Sequence, residues 1–528
     1  MKAAPVRENV KTMSARHPRS RSIACSILSF IVSAAFSTYW YTVCHSKIFA
    51  VFALLASLLI GLLVFLWSSG IIEQLNEKKY GVILAISCIV FTFVFPPTTV
   101  PDETHHYLSS YWLADCLQGQ ASFADSSSFP MRDSDWQMLS GSSNSVSYDS
   151  YKVVFDNFEL FDSSDEVYEA SYSFSLGSEN VVTKLGSVLA IVLGKAIGLG
   201  AYPVFYLGRL FNSAYFILLT LAAYKLIPFA KNIIVCISLL PMTLHLAASF
   251  SYDSGIIGLA LLLTALLCRS IVNDGPISAK ELIAIGVCVV FLAPCKLIYT
   301  PIGLLFFLIP KERFGGLKNK LIIGFTFIAL ALISIGIFRL PGVVSLASPS
   351  NSIDSRGTET GTFFSLGDMV DDPLSAISLY FRTLMVNGDF YLTSLIGGSL
   401  GWFQANLRAP YFYLFVYCVV MLIAAQKDSS DSNDFPPSLK YVCLVIICLC
   451  LFGCMLSMYL GWTFNTESII QGVQGRYLLP VLLLGLMVVR WRPLAIDLKL
   501  DGGISIFLCV LNILYLIGLV ATALVATV

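Results

Sequence analysis

FPPTTVPDETHHYLSSYWLADCL, residues Phe95 to Leu117, decides how this chain is read. An apolar segment from Val82 to Phe95 stops at Pro96-Pro97. Pro101 then opens a new helix, with Asp102 and Glu103 in its first turn and His105 and His106 one turn on. Proline at the first helical position and acids in the first turn are ordinary helix-start chemistry. His106 adds something else: it stands at i+4 from Asp102 and i+3 from Glu103, spacings that place all three on one helical face. A carboxylate beside an imidazole can act as a general base or help bind a metal. Two or three ligands are a weak metal signal, so no cofactor is certain and a divalent metal stays open.

Around this stretch the chain reads as a polytopic, all-α membrane protein. Of its 528 residues 56% are hydrophobic and 12% charged, with mean hydropathy +0.78; soluble domains carry roughly 25% charged residues. Formal net charge is +0, which points to no nucleic-acid partner. The 14 cysteines mostly fall in apolar runs (Cys443, Cys448, Cys450 and Cys454 among them) without metal-ligand spacing. Only Cys116 lies clearly within the large polar loop, so no disulfide framework is implied.

About 20 apolar residues cross a bilayer core. That measure predicts about 13 spans, near 23–43, 48–69, 82–97, 203–224, 232–249, 255–272, 281–295, 298–310, 321–340, 409–425, 440–460, 477–492 and 503–527. The N-terminus is basic (Lys2, Arg7, Lys11, Arg16, Arg19, Arg21), and alternate connections carry Lys78 and Lys79, Lys225 and Lys231, Arg269 and Lys280, Lys311 to Lys320, Lys427 and Lys440, and Arg490 to Lys499. Basic connections face the cytoplasm, so the N-terminus is expected inside, in the plasma membrane. Four regions follow: 1–80 with two extra helices, a core at 81–340, a second external loop at 341–408, and C-terminal helices at 409–528.

The core includes an acidic external loop, 98–181, whose Ser-rich part, Ser126 to Ser150, is expected to be mobile. The loop 341–408 starts polar and turns amphipathic from Leu374 to Trp402, as helices on a membrane surface do. No internal repeat is evident, so the inverted-repeat signature of many secondary transporters is missing.

Arg209, Lys296, Arg408 and Arg476 sit at outer span edges, where the positive-inside rule does not favour them. One such cation can simply snorkel. Four, with Tyr206, Tyr299 and Tyr477 nearby, suggest an anion such as a lipid-linked phosphate or diphosphate, which Arg binds through two parallel hydrogen bonds. GVQGRYLLP, Gly472 to Pro480, is the most specific phosphate candidate: its glycines admit close backbone approach, and Gln474 and Arg476 supply donors at a helix start. Tyr252-Asp253, between two spans, reads either as an exposed turn or as a binder of sugar hydroxyls and a neighbouring cation. Asp133-Ser134-Asp135 and Asp371-Asp372 look superficially like metal-holding pairs and are discounted.

With these stretches assembled, the chain resembles a large bacterial family of predicted membrane proteins, long labelled a domain of unknown function and placed in the GT-C superfamily of membrane glycosyltransferases. The resemblance rests on PDETHH (family pattern P-D-E-x-x-H), YLGRLFN, LLPMTLHLAASFSYDS, PCKLIYTP and GVQGRYLLP. It implies a GT-C-like fold and inverting transfer of a sugar from a polyprenyl-phosphate donor to a cell-envelope glycan or lipid acceptor, on the extracytoplasmic face. Carried over, Asp102 matches the acidic residue of the first loop that acts as catalytic base or organises the acceptor, with Glu103 its alternate and His106 its companion. Arg476 and Lys296 would face the donor phosphate, joined by Arg209, Gln474, Tyr299 and Tyr477, with Asp253 and Tyr252 on the substrate. The lipid tail would lie between spans, walled by 374–402. The Asp-x-Asp signature of metal-dependent members is missing from the start of the first loop. A flippase or transporter of lipid-linked sugars, and a glycan polymerase or ligase using a diphosphate, are the competing readings.

Overall fold

In hydrocarbon, backbone polar groups must be satisfied within the segment itself, which makes apolar runs fold as helices. The computed structural model describes residues 18–72, 75–123, 128–162, 166–175, 181–347, 362–404, 407–426, 436–490 and 501–525. The basic residues Lys2 to Arg16, Lys427, Arg492 and Lys499 lie outside them. The first half comprises α1 (Pro18–Cys44), α2 (Lys47–Ser68), α3 (Glu77–Val94), α4 (Glu103–Leu117), β1 (Phe129–Arg132), α5 (Asp133–Gly141), α6 (Tyr148–Asp156), β2 (Val167–Ala170), α7 (Leu185–Ala196) and α8 (Ala201–Leu226). The second comprises α9 (Lys231–Ser238), α10 (Pro241–Ala247), α11 (Asp253–Val272), α12 (Ala279–Leu292), α13 (Leu317–Ala347), α14 (Leu366–Asp371), α15 (Pro373–Ile396), α16 (Tyr411–Ala424), α17 (Pro437–Trp462), α18 (Leu479–Val489) and α19 (Asp501–Ala523).

Among the described residues, seven helices are long and apolar enough to cross a membrane: α1, α2, α8, α11, α13, α17 and α19. α11 is buried over most of its length, whereas α13 is only 6% buried between Leu317 and Arg339. A helix that apolar and that bare needs lipid around it.

The other six expected spans take different forms. α3 opens on Glu77, Lys78 and Lys79; α12 and α16 have 14 residues each, and α18 has 11. Leu297–Leu308 winds as a 3-10 helix around Pro301. The expected span 232–249 is broken, because Pro241 cannot donate to the preceding turn and restarts the helix as α10. At the break the Leu239 carbonyl accepts a 2.9 Å bond from Asn512 Nδ2, and Asn512 Oδ1 accepts from the Tyr417 hydroxyl.

Charges divide between the two ends of the bundle. At one end Lys225 meets Glu77 at 3.4 Å, Arg313 Nη1 donates to Ser270 O at 2.6 Å, and Lys440 donates to Arg490 O. The opposite end carries the C-terminus of α3 and the N-termini of α4, α11 and α18. Those termini hold most of the residues singled out from sequence.

The described part of the acidic loop contains regular structure. β1 pairs antiparallel with β2, Phe129 opposite Ala170, and α5 and α6 follow β1. Ser147 and Ser150 form a reciprocal capping box on α6, so its serines serve as helix starts; Ser126 itself lies outside the described residues. Asp135 is buried and saturated by the Tyr107 hydroxyl (2.7 Å) and Arg132 Nε (2.6 Å), which removes the Asp133/Asp135 metal reading. Asp371/Asp372 dissolves similarly: Asp372 caps α15 by accepting from Ser375 N.

Asp115 is buried at the end of α4 against Lys195, and burial pushes its carboxyl up to about 6 although Lys195 opposes the shift. A raised carboxyl favours the protonated folded form. Loop stability should therefore be full below about pH 4 and fall by roughly 3 kcal/mol as pH rises through 6. Proteolysis of the loop across this window should show the fall, flattened in Asp115→Asn.

The polar start of the second external segment is partly helix. α13 runs on through Ala347, past the expected boundary at 340, and 348–361 lie outside the described residues. α15 exposes Leu374, Ile377, Phe381 and Met385 along one face. Its other side accepts bonds from the chain leading to α18: Ile470 N to Thr383 Oγ1 and Gly475 N to Ser394 Oγ, both 2.8 Å.

Candidate functional site

The C-terminus of α3 leaves carbonyls without helical partners, and Arg209 answers them. Its Nη1 donates to Thr92 O (3.0 Å) and Phe95 O (2.5 Å), and its Nη2 to Pro96 O (3.0 Å). The remaining hydrogens go to Glu103, Nε to Oε1 at 2.8 Å and Nη2 to Oε2 at 2.7 Å. All five guanidinium donors are used, and both side chains are fully buried. Glu103 Oε1 also accepts from Phe250 N at 3.2 Å. Two expectations are corrected here. Arg209 has no donor left for a phosphate, and Glu103 has no exposed oxygen to act as a base.

Asp102 parts from Glu103 because the backbone does. The helix begins at Glu103, and Asp102 precedes it in the left-handed region at φ 61°, which breaks the shared face expected of Asp102, Glu103 and His106. Aspartate tolerates that region better than most residues, at a cost of about 1–2 kcal/mol. Its side chain caps nothing and is 55% exposed, with Oδ2 3.4 Å from Arg476 Nη2. One acid is locked in structure; its neighbour faces outward.

Arg476, itself 6% exposed, is held by a tight loop. A Cβ on Gly475 would lie 1.8 Å from Tyr391 O, so α15 and this turn touch backbone to backbone. Gly475→Ala should cost about 1–3 kcal/mol through overpacking, read as a lower thermal midpoint in detergent. Arg476 Nε stands 4.0 Å from Asp253 Oδ2, and Lys296 Nζ donates to Asp253 Oδ1 at 2.7 Å. Lys296 also lies over the rings of Tyr252 (5.1 Å) and Tyr477 (4.5 Å). Tyr299 donates to Tyr477 O at 2.8 Å, and the His106 ring meets Tyr252 edge-on at 4.8 Å. Asp102, Asp253, Lys296 and Arg476, though 374 residues apart at the extremes, thus form one chain of alternating charge.

Gln474 adds a buried Oε1 with no hydrogen-bond partner among the described residues. Arg408 is not part of this chain of contacts: it pairs with Asp389 at 2.6 Å and with the Tyr411 hydroxyl. Tyr206 stacks on Phe93, near Arg209. Next to Lys296 an apolar cavity of about 630 Å³ opens between α11, α12, the 297–308 segment and α13. Leu263, Val289, Leu304, Phe325 and Ile328 line it, as does Tyr299, whose hydroxyl donates to Tyr477 O beside the charged cluster. No residue of 374–402 lines this cavity, so the expected wall is supplied by other helices.

Residues 182–485, more than half of the chain, match the model of a family described as predicted membrane protein, DUF2142. The chain belongs to the DUF2142 family. No curated protein and no solved structure matches it. The DUF2142 match contains Arg209, Asp253, Lys296 and Arg476, and begins after Asp102, Glu103 and His106.

Within the DUF2142 segment, sequence reasoning passed over Asn212. Its Nδ2 donates to Ser249 O (2.6 Å), Ser251 O (3.2 Å) and Ser254 Oγ (3.0 Å), fixing the turn that carries Tyr252 and Asp253. The signal was available: an amide three residues after Arg209 inside an apolar helix. Thr383 and Ser394 were also missed, and nothing in α15 marks them beforehand. The DUF2142 cluster does not suit a resident metal. Asp102 and Asp253 both lie against the Arg476 guanidinium, and among the described residues no three His, Cys, Asp or Glu side chains gather as ligands.

Proposed function

We propose that this protein is an inverting membrane glycosyltransferase of the GT-C superfamily, moving a sugar from polyprenyl phosphate to a cell-envelope glycan or lipid. The observation that carries the reading is the run from exposed Asp102 through buried Arg476 and Asp253 to Lys296, set beside an apolar cavity. Base, anion-binding cations and a place for a lipid tail are contiguous.

In this reading Asp102 takes the proton of the acceptor hydroxyl. The acceptor oxygen bonds to the anomeric carbon from the face opposite the phosphate, inverting it. The bond from that carbon to the phosphate oxygen breaks, and its electron pair stays on the phosphate. Arg476 and Lys296 offset the charge that develops there. The rings of Tyr252 and Tyr477 hold Lys296 at the phosphate position, and His106 backs Tyr252. Glu103 and Arg209 serve as positioning residues that fix the chain entering Asp102. The basic end of the bundle faces the cytoplasm by the positive-inside rule, which turns the cluster outward.

A transporter would need polar groups at mid-depth of its spans, and this cluster sits at helix ends. The test is sugar transfer by the purified protein in nanodiscs. Release of free polyprenyl phosphate from a polyprenyl-phosphate sugar supports the reading. Reaction only with an oligosaccharide on diphosphate favours a polymerase or ligase, and movement of lipid across the bilayer without bond cleavage favours a flippase.

A further inference from the structure

Asp253 spans two cations as the oxygens of a phosphate would, but unequally. Oδ1 accepts from Lys296 at 2.7 Å, whereas Oδ2 stands 4.0 Å from Arg476 Nε, beyond hydrogen-bond reach. That Nε is buried and has no acceptor among the described residues. A buried donor left unpaired is costly, so the position favours an oxygen closer to Arg476 than Asp253 provides. Lys296 and Arg476 face Asp253, with Tyr252, Tyr299 and Cys454 also near it, and its own N–H donates to Ser251 Oγ. Charge gives the same indication. Two cations already meet two carboxylates, Asp253 and Asp102, so an arriving anion finds little net attraction while Asp253 stays in place.

We propose that Asp253 stands in for the lipid phosphate, holding Lys296 and Arg476 until a phosphate displaces it, and returning to expel the product. This rests on the sugar-transfer reading and names what sets affinity within it. The donor phosphodiester carries one negative charge. The released polyprenyl phosphate is a monoester carrying about 1.5 to 2 at neutral pH. Without a competing carboxylate, the two cations would hold that product longest. Asp253 is then a positioning residue whose cost in donor affinity is offset by faster product release.

The test is binding of a polyprenyl phosphate to the full chain in nanodiscs, with inorganic phosphate as a competing arm. Asp253→Asn removes the competing charge and should bind at least roughly tenfold tighter, with kcat reduced by slow release. Asp253→Glu, one methylene longer, closes the 4.0 Å gap to Nε and should bind more weakly. A purely structural aspartate predicts weaker binding for Asn and little change for Glu. Equal or weaker binding by Asp253→Asn beside a binding wild type overturns this inference alone. Should that variant not fold, binding by Asp253→Glu as tight as wild type overturns it. If neither wild type nor variant binds the lipid, the sugar-transfer reading falls as well. Displacement by inorganic phosphate at the same concentration assigns the site to a free anion and overturns the lipid assignment.

Discussion

Glu103→Gln should destabilise the protein by about 3–5 kcal/mol, the range for removing one partner of a buried ion pair. Arg209 would keep its charge in a fully buried position, with carbonyls but no carboxylate around it. Thermal unfolding in detergent reads this directly. The double variant Glu103→Gln/Arg209→Leu should recover only part of the loss. It removes the stranded charge but takes the Arg209 donors from the Thr92 and Phe95 carbonyls, while Pro96 O keeps the Thr99 hydroxyl. A stable Glu103→Gln that has lost only turnover would make Glu103 the reacting acid and reverse the assignment of the pair.

Asp102→Asn should do the opposite. The side chain is 55% exposed, caps no helix and contacts Arg476 at a long 3.4 Å, so its removal should move the unfolding midpoint little. Exposed ion pairs contribute about 0–1 kcal/mol, and asparagine tolerates the φ of 61° as well as aspartate does. Turnover with a polyprenyl-phosphate sugar should fall about 10²–10⁴-fold, the usual worth of a positioned general base. KM should not rise, because Lys296 and Arg476 still bind the phosphate and Arg476 loses a competing, largely exposed carboxylate. Full turnover in Asp102→Asn would remove the base from the scheme. Together the two variants separate neighbouring acids by opposite signatures.

Much of this arrangement was legible before the structure. Apolar runs gave the long helices, and misplaced cations drew attention to Lys296 and Arg476. Periodicity could not show that Asp102 sits in the left-handed region, because one residue's φ leaves no trace in a hydrophobic pattern. That single angle sends Asp102 and Glu103 to different arginines. Arg209 was misread for a related reason: a cation at a span edge looks the same whether it awaits an anion or saturates the end of α3. Helix length and apolar composition diverge in some of the expected spans. Segments 281–295 and 409–425 are apolar enough, yet each yields a helix of 14 residues. Composition also did not show that two serines of the acidic loop, Ser147 and Ser150, cap α6.

The most direct measurement is a cryo-electron microscopy map of the protein in nanodiscs with a polyprenyl phosphate. The account predicts phosphate density within hydrogen-bond distance of Arg476 Nε and Lys296 Nζ, Asp253 displaced, and the lipid tail entering the cavity past Tyr299. Lipid density that enters this cavity only from the Lys320 side, with Arg476 and Lys296 still closed on Asp253, would contradict it.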